Sequence, residues 1–189
     1  PMERVPIVQK NIVKQANEVA KVSVIATQML RSMVVSPNPT RAEISDITNA
    51  VLDGCDAILL SDETAMGAYP VEAVRVAQAT ILEAETIYPY YRDFDSGDRT
   101  QSIASAAGHL VQELSSKPVV VTSTGRAAYA IARSRPDSDI LVFSHDEAVL
   151  RRLCIGWGLR PMGVIPAERD VAELVSLLVR GCLNSGMVS

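Results

Sequence analysis

Two short apolar runs that stop abruptly in polar residues constrain this chain more than anything else in it. Residues 22–26 (VSVIA) run into Thr27 and Gln28, and residues 57–60 (AILL) run into Ser61, Asp62, Glu63 and Thr64. Short, β-branched runs of this kind, separated by amphipathic helical stretches, read as buried parallel strands in a βα repeat. In parallel α/β folds the chemistry gathers where strands end. Thr27, Ser61 and Glu63 are therefore expected on one rim, on neighbouring strands roughly 5 Å apart.

The intervening segments carry helix signals. Pro6 suits a first helical turn, and Val5, Val8, Ile12, Ala16 and Val19 follow at helical spacing, which gives one apolar face. After a short helix at 27–34 and a turn at 36–39, Thr40-Arg41-Ala42-Glu43 has the pattern of a capping box. Gly54 fits the stop of that helix, and Pro70 opens another along Val71, Val74, Ile81, Ala84 and Ile87. Residues 88–99 (YPYYRDFDSGDR) are polar and lack a period, so 90–99 is taken as a linker between a first part, 1–89, and a second, 100–189. Beyond it the βα alternation resumes: helix 100–114, strand 118–121, helix 125–134, strand 139–143, helix 147–154, strand 162–165 and helix 170–182. Two parallel strands cannot cover both faces or satisfy their own edges, so the first part is expected to belong to a larger sheet.

Composition narrows the function classes. Net charge is −4 and no basic run occurs, which argues against nucleic acid or an anionic membrane as a partner. Cys55, Cys154 and Cys182 are far apart, and with two histidines they make no zinc pattern; reduced thiols suit the cytoplasm. No apolar stretch reaches the roughly 20 residues of a membrane span. His109 and His145 are expected to be structural or exposed, and Trp157 to pack.

Three ordered blocks carry a resemblance. ATQML-x-SM (26–33), PTRAE-x-SD-x-x-NA-x-LDG-x-DA (39–57) and LS-x-ETA-x-G-x-YP-x-EAV (60–74) resemble the pyruvate kinase family, and TSTGRAAYAIARSRP (122–136) continues the likeness. The resemblance implies an α/β fold: the last two βα units of a (β/α)8 TIM barrel, then a three-layer α/β C-terminal domain truncated at its end. It implies transfer of the phosphoryl group of phosphoenolpyruvate to ADP in a cytoplasmic homo-oligomer, a tetramer in the family. Mg2+ and K+ are implied for the intact enzyme. The family's metal carboxylates, lysine and potassium ligands lie upstream of Pro1, so this piece alone is expected to bind no metal and to be inactive. An isolated effector-binding or subunit-interface module is the alternative.

Each candidate residue has a structural reading beside the functional one. Thr27 at a strand end is a helix cap or, by resemblance, the threonine near the methylene carbon of the substrate. Ser61 and Glu63 are a cap pair or, by resemblance, members of a proton network at the rim. Asp62 stands where the family usually has glycine, which predicts strain if φ is positive and an added charge near the phosphates. Arg41 is a solvated helix start or, by resemblance, a subunit-interface residue beside the active site. Thr122, Ser123, Thr124, Gly125 and Arg126 follow a strand and open a helix, where amides and hydroxyls make an anion pocket or merely cap. By resemblance this turn holds a phosphate of a sugar-phosphate effector, although Ala127 lacks a hydroxyl often found there.

Overall fold

The computed structural model describes residues 1–26, 28–94, 97–166 and 170–188. The chain divides into two compact units, Pro1–Pro89 and Tyr90–Ser189.

In the first unit, α1 (Val5–Glu18) precedes β1 (Val24–Ala26), α2 (Arg41–Asp53) precedes β2 (Ala57–Leu59), and the short α3 (Asp62–Ala65) precedes α4 (Pro70–Glu85). β1 and β2 pair in parallel, Val24 with Ala57, Ile25 with Ile58 and Ala26 with Leu59. The capping box forms: Thr40 Oγ1 accepts from the Glu43 N–H, and the Glu43 carboxylate accepts from the Thr40 N–H. Gly54 ends α2 with φ 91, a left-handed backbone that glycine adopts without a Cβ penalty. The core gathers Val13, Ile25, Met29, Leu30, Met33, Ile47, Ala50, Cys55, Ala73 and Ala77.

The apolar stripe read on α1 lies largely open: Val5, Val8 and Ile12 are exposed, and α1 buries Val13 and Asn17. An open cleft of about 830 Å3 lies between that stripe and β1. On α4, Val71 and Val74 are exposed while Ala73, Ala77 and Ala84 are buried, because small side chains let this helix lie close to α2. The strands are also less covered than their composition suggests, with Val24 45% and Leu59 46% exposed. A two-stranded sheet has two unpaired edges and too few helices to cover its faces.

The second unit closes a core of its own. Its elements are α5 (Arg99–Leu114), β3 (Val119–Val121), α6 (Arg126–Ala132), β4 (Ile140–Ser144), α7 (Glu147–Leu153), β5 (Leu159–Val164) and α8 (Val171–Asn184). The parallel sheet has the order β3-β4-β5. All five residues of β4 are buried. Ile140 and Val142 pack with α5, α6 and α7 on one face, and Leu141 and Phe143 pack with α8 on the other. This is the three-layer α/β arrangement expected, with continuous apolar strands because both faces are covered. The ladder of β4 and β5 slips by one residue between Val142 and Phe143, so that Val142 faces Pro161 and Phe143 faces Gly163.

The start of the segment read as a linker is held on this unit. The N–H groups of Tyr91 and Arg92 donate to the carbonyls of Arg135 and Ser134. The buried Arg133 guanidinium sits 5.1 Å from the Phe94 ring centre and donates to the Phe94 carbonyl. Burial lowers the Arg133 pKa, with Asp93 and Asp98 nearby opposing it. Trp157 packs as expected, edge-on to Tyr90 and beneath Arg135. His109 is exposed on α5, and His145 Nδ1 lies 3.0 Å from the Ile165 carbonyl oxygen.

Candidate functional site

The parallel register sets β1 and β2 side by side, so the turns that follow them leave the sheet at one end. Thr27 lies outside the described residues. Gln28 directly after it takes φ 55, a left-handed backbone unusual for a residue with a side chain. A one-turn 3-10 helix, Arg31–Val34, follows, with Leu30 and Met33 fully buried beneath it.

Glu63 ties the two turns together. It is buried in α3; one carboxylate oxygen accepts from the Leu30 N–H at 3.1 Å and the other from the Ser61 N–H at 2.7 Å. Burial by itself raises this carboxyl, and the main-chain donors outweigh it, so the net shift is below the ordinary glutamate value. At neutral pH Glu63 is ionised and only accepts hydrogen bonds. Ser61 is exposed at the head of α3, and its side chain makes no cap bond.

Asp62 is the first residue of α3 and is absent from the positive-φ positions, so a side chain at this position brings no left-handed strain. Its charge is met: Asp62 pairs with Arg31 of the other turn. The Ala68 N–H adds a further link to the Val34 carbonyl at 2.9 Å.

Glu43 is a site residue that sequence reasoning saw only as half of a cap. Its carboxylate is buried and also reaches the turn after β1, accepting from the Ser32 N–H at 2.7 Å and the Ser32 hydroxyl at 2.6 Å. Burial raises this carboxyl and the donors of Ser32 and Thr40 lower it further than that, leaving it below the ordinary value. Both carboxylates therefore act as anionic pins for main-chain N–H groups. No local motif announces the links to Ser32 or Leu30, which cross 11 and 33 residues. Arg41 is exposed at the first residue of α2.

The second candidate lies at the end of β3. Thr122 is buried, and its Oγ1 accepts from the Gly125 N–H at 3.0 Å. Gly125, with φ 89, turns the chain into α6. Thr124 Oγ1 accepts from the Arg126 N–H at 3.4 Å, and Ser123 and Thr124 are exposed. The Arg126 guanidinium pairs with Asp98, whose carboxyl is held low by the Gln101 N–H first and by Arg126 next. The turn thus gathers the five expected residues, with the Gly125 N–H and the Arg126 charge already engaged within the protein.

Among the described residues no group of three or more His, Cys, Asp or Glu side chains could hold a metal ion. Among them, too, no helix is long and apolar enough to cross a membrane.

Comparison with known proteins covers both units. Residues 1–74 match the family model for the pyruvate kinase barrel domain, and residues 101–189 match that for the pyruvate kinase alpha/beta domain. The chain is 39% identical over 197 residues to a pyruvate kinase of Lactococcus lactis subsp. lactis, covering 98% of this chain and 39% of that protein. It is 40% identical over 168 residues to pyruvate kinase 2 of Synechocystis sp., covering 87% of this chain and 28% of the relative. A crystal structure of a pyruvate kinase from Cryptosporidium parvum superposes with a TM-score of 0.91 at 31% identity, covering the whole of this chain and 40% of that one. The chain spans about two fifths or less of the length of these relatives.

Proposed function

The chain belongs to the pyruvate kinase family, and from that premise we propose that the protein carrying it moves the phosphoryl group of phosphoenolpyruvate to ADP, giving pyruvate and ATP. The observation that carries this reading is the ordered match of both units to the two domain models of one enzyme. It disfavours an isolated effector-binding module, since the barrel part matches as well as the alpha/beta part. In this reading the reaction is glycolytic and cytoplasmic, and the protein is a homo-oligomer with Arg41 at a subunit contact.

In this reading the turns after β1 and β2 form part of the substrate rim. Thr27 offers a hydroxyl to the three-carbon substrate near its methylene end. Ser61 is the exposed hydroxyl of the rim, able to hold water for proton movement, and Glu63 fixes the main chain of Ser61 itself and of Leu30 in the turn after β1. Phosphoryl transfer depends on positioning and charge neutralisation, which these pins serve. The family's Mg2+ and K+ would neutralise phosphate charge, but the described residues offer no metal cluster, so no step here is assigned to an ion. The turn of Thr122, Ser123, Thr124, Gly125 and Arg126 is proposed as a subsite for a phosphate of a sugar-phosphate effector. Binding there requires Arg126 to exchange Asp98 for the ligand.

A coupled assay with phosphoenolpyruvate, ADP, magnesium and potassium tests the reading in the native protein. Turnover is expected there, and Thr27→Val should lower kcat roughly 10- to 100-fold, the loss of one hydroxyl used in the transition state. The 189-residue polypeptide on its own should stay at background. A native protein without phosphoenolpyruvate-dependent turnover overturns the proposal. Unchanged kcat with a lowered Tm in Thr27→Val reassigns Thr27 to capping.

A further inference from the structure

We propose that Glu43 is a positioning residue that holds the turn after β1 in its working shape by way of Ser32; the inference rests on the function proposed above.

A capping box asks little of its glutamate: one oxygen must accept the N–H of the capping residue. Here one oxygen of Glu43 is turned away from the cap to the Ser32 N–H, at 2.7 Å. The other accepts from the Ser32 hydroxyl at 2.6 Å, the Thr40 N–H at 2.7 Å and the Thr40 hydroxyl at 2.9 Å. The side chain is buried rather than lying along the helix surface, as a plain cap permits. One carboxylate therefore fastens the start of α2 to the 3-10 turn Arg31–Val34.

That turn needs fastening. It opens on the left-handed Gln28, and such a conformation persists where the surroundings over-determine it. Two buried anions do this from different elements, Glu63 on the Leu30 N–H and Glu43 on the Ser32 N–H. The residue before Gln28 in the sequence is Thr27, the group that the function proposed above assigns to the substrate. A misplacement of about 1 Å at such a group costs on the order of a hundred-fold in rate.

Three variants separate holding the turn from capping the helix. Glu43→Gln keeps a capping-box residue but replaces one oxygen by a donor, so one of the opposed N–H groups loses its acceptor. Ser32→Ala removes only the hydroxyl on the turn side. Thr40→Val removes only the hydroxyl on the helix side. In the 189-residue chain, amide exchange at Ser32 should quicken at least about ten-fold in Glu43→Gln while Leu30, held by Glu63, changes less. In the native protein kcat should fall roughly ten-fold in Glu43→Gln and several-fold in Ser32→Ala, whose Tm stays near that of the wild type. Thr40→Val should lower Tm and leave kcat within about two-fold. The proposal is overturned if kcat follows Tm across the three variants, or if Ser32 exchange is unmoved in Glu43→Gln. A native protein with no transfer activity defeats the function assigned above and leaves the exchange measurement to decide alone whether Glu43 holds the turn.

Discussion

The two units meet the same physical problem, a parallel sheet of short apolar strands, and resolve it to different degrees. In the second unit β4 lies between two neighbouring strands and two helical layers, and Ile140, Leu141 and Val142 are 0% exposed. In the first unit β1 and β2 pair, among the described residues, only with each other, with Val24 and Leu59 nearly half exposed and a row of valines and an isoleucine on α1 facing solvent. Instead the first unit is fixed at its strand ends, where Glu43, Glu63 and the Arg31–Asp62 pair stitch the turns. Both units bury an apolar core, and the first adds buried anions that hold main-chain donors at its strand ends.

The largest test of that contrast is truncation in the sheets. Leu141→Ala, at a site with no exposure, should cost about 3 kcal/mol of stability from lost burial and the cavity left behind. Val24→Ala should cost under about 0.5 kcal/mol, as a half-exposed residue does. Thermal melts of the two variants check this, and equal losses would erase the distinction. Next, native-state amide exchange should be faster throughout β1 and β2 than in β4, and limited proteolysis should leave the second unit. A first unit that exchanges as slowly as the second would break the comparison.

Acid should then separate the units by chemistry. The carboxyls of Glu43 and Glu63 lie below the ordinary value of 4.5 in the folded unit, so folding favours their ionised form. Their stabilising share is complete above that value and is lost as pH falls through the lowered ones. The first unit should therefore melt earlier than the second as pH drops below 4.5, followed by NMR signals of Leu30 and Ser32 against those of β4. Loss of β4 signals first would show that the pins do not carry the first unit. The smallest effect is expected at the turn of Thr122 and Arg126. A fructose bisphosphate titration of the chain, with sulfate as control, should shift those amides with an affinity on the order of millimolar. Asp98→Asn should tighten binding a few-fold by releasing Arg126. Shifts elsewhere with these amides still would remove the subsite.

What could be read from the sequence was what is local. The cap at Thr40, the stop at Gly54, the strands before Thr27 and Ser61 and the turn at Gly125 each follow from a few adjacent residues. The α/β class followed from their alternation. Periodicity says that a helix has an apolar face and nothing about what covers it: Val5, Val8 and Ile12 share a face of α1 and lie outside. On α4 the period runs through Val71, Val74 and Ala84, and burial falls on Ala73, Ala77 and Ala84. The charge of Asp62 was read as added near the phosphates, and its pairing with Arg31, 31 residues away, has no local signal. The dual role of Glu43 was hidden by the same separation, since a complete local explanation was already at hand.

The slip in register between β4 and β5 has a consequence for how the protein behaves when crowded. β5 is an edge strand among the described residues, and it carries Pro161, which has no N–H to offer an incoming strand, beside a bulge that twists the ladder. Such an edge is a poor template for a foreign strand, so growth of cross-β assemblies is discouraged there. β1 and β2 contain neither proline nor bulge. Self-association of this chain in concentrated solution should begin on the first unit's two bare edges, and additives or mutations meant to keep it dispersed belong there.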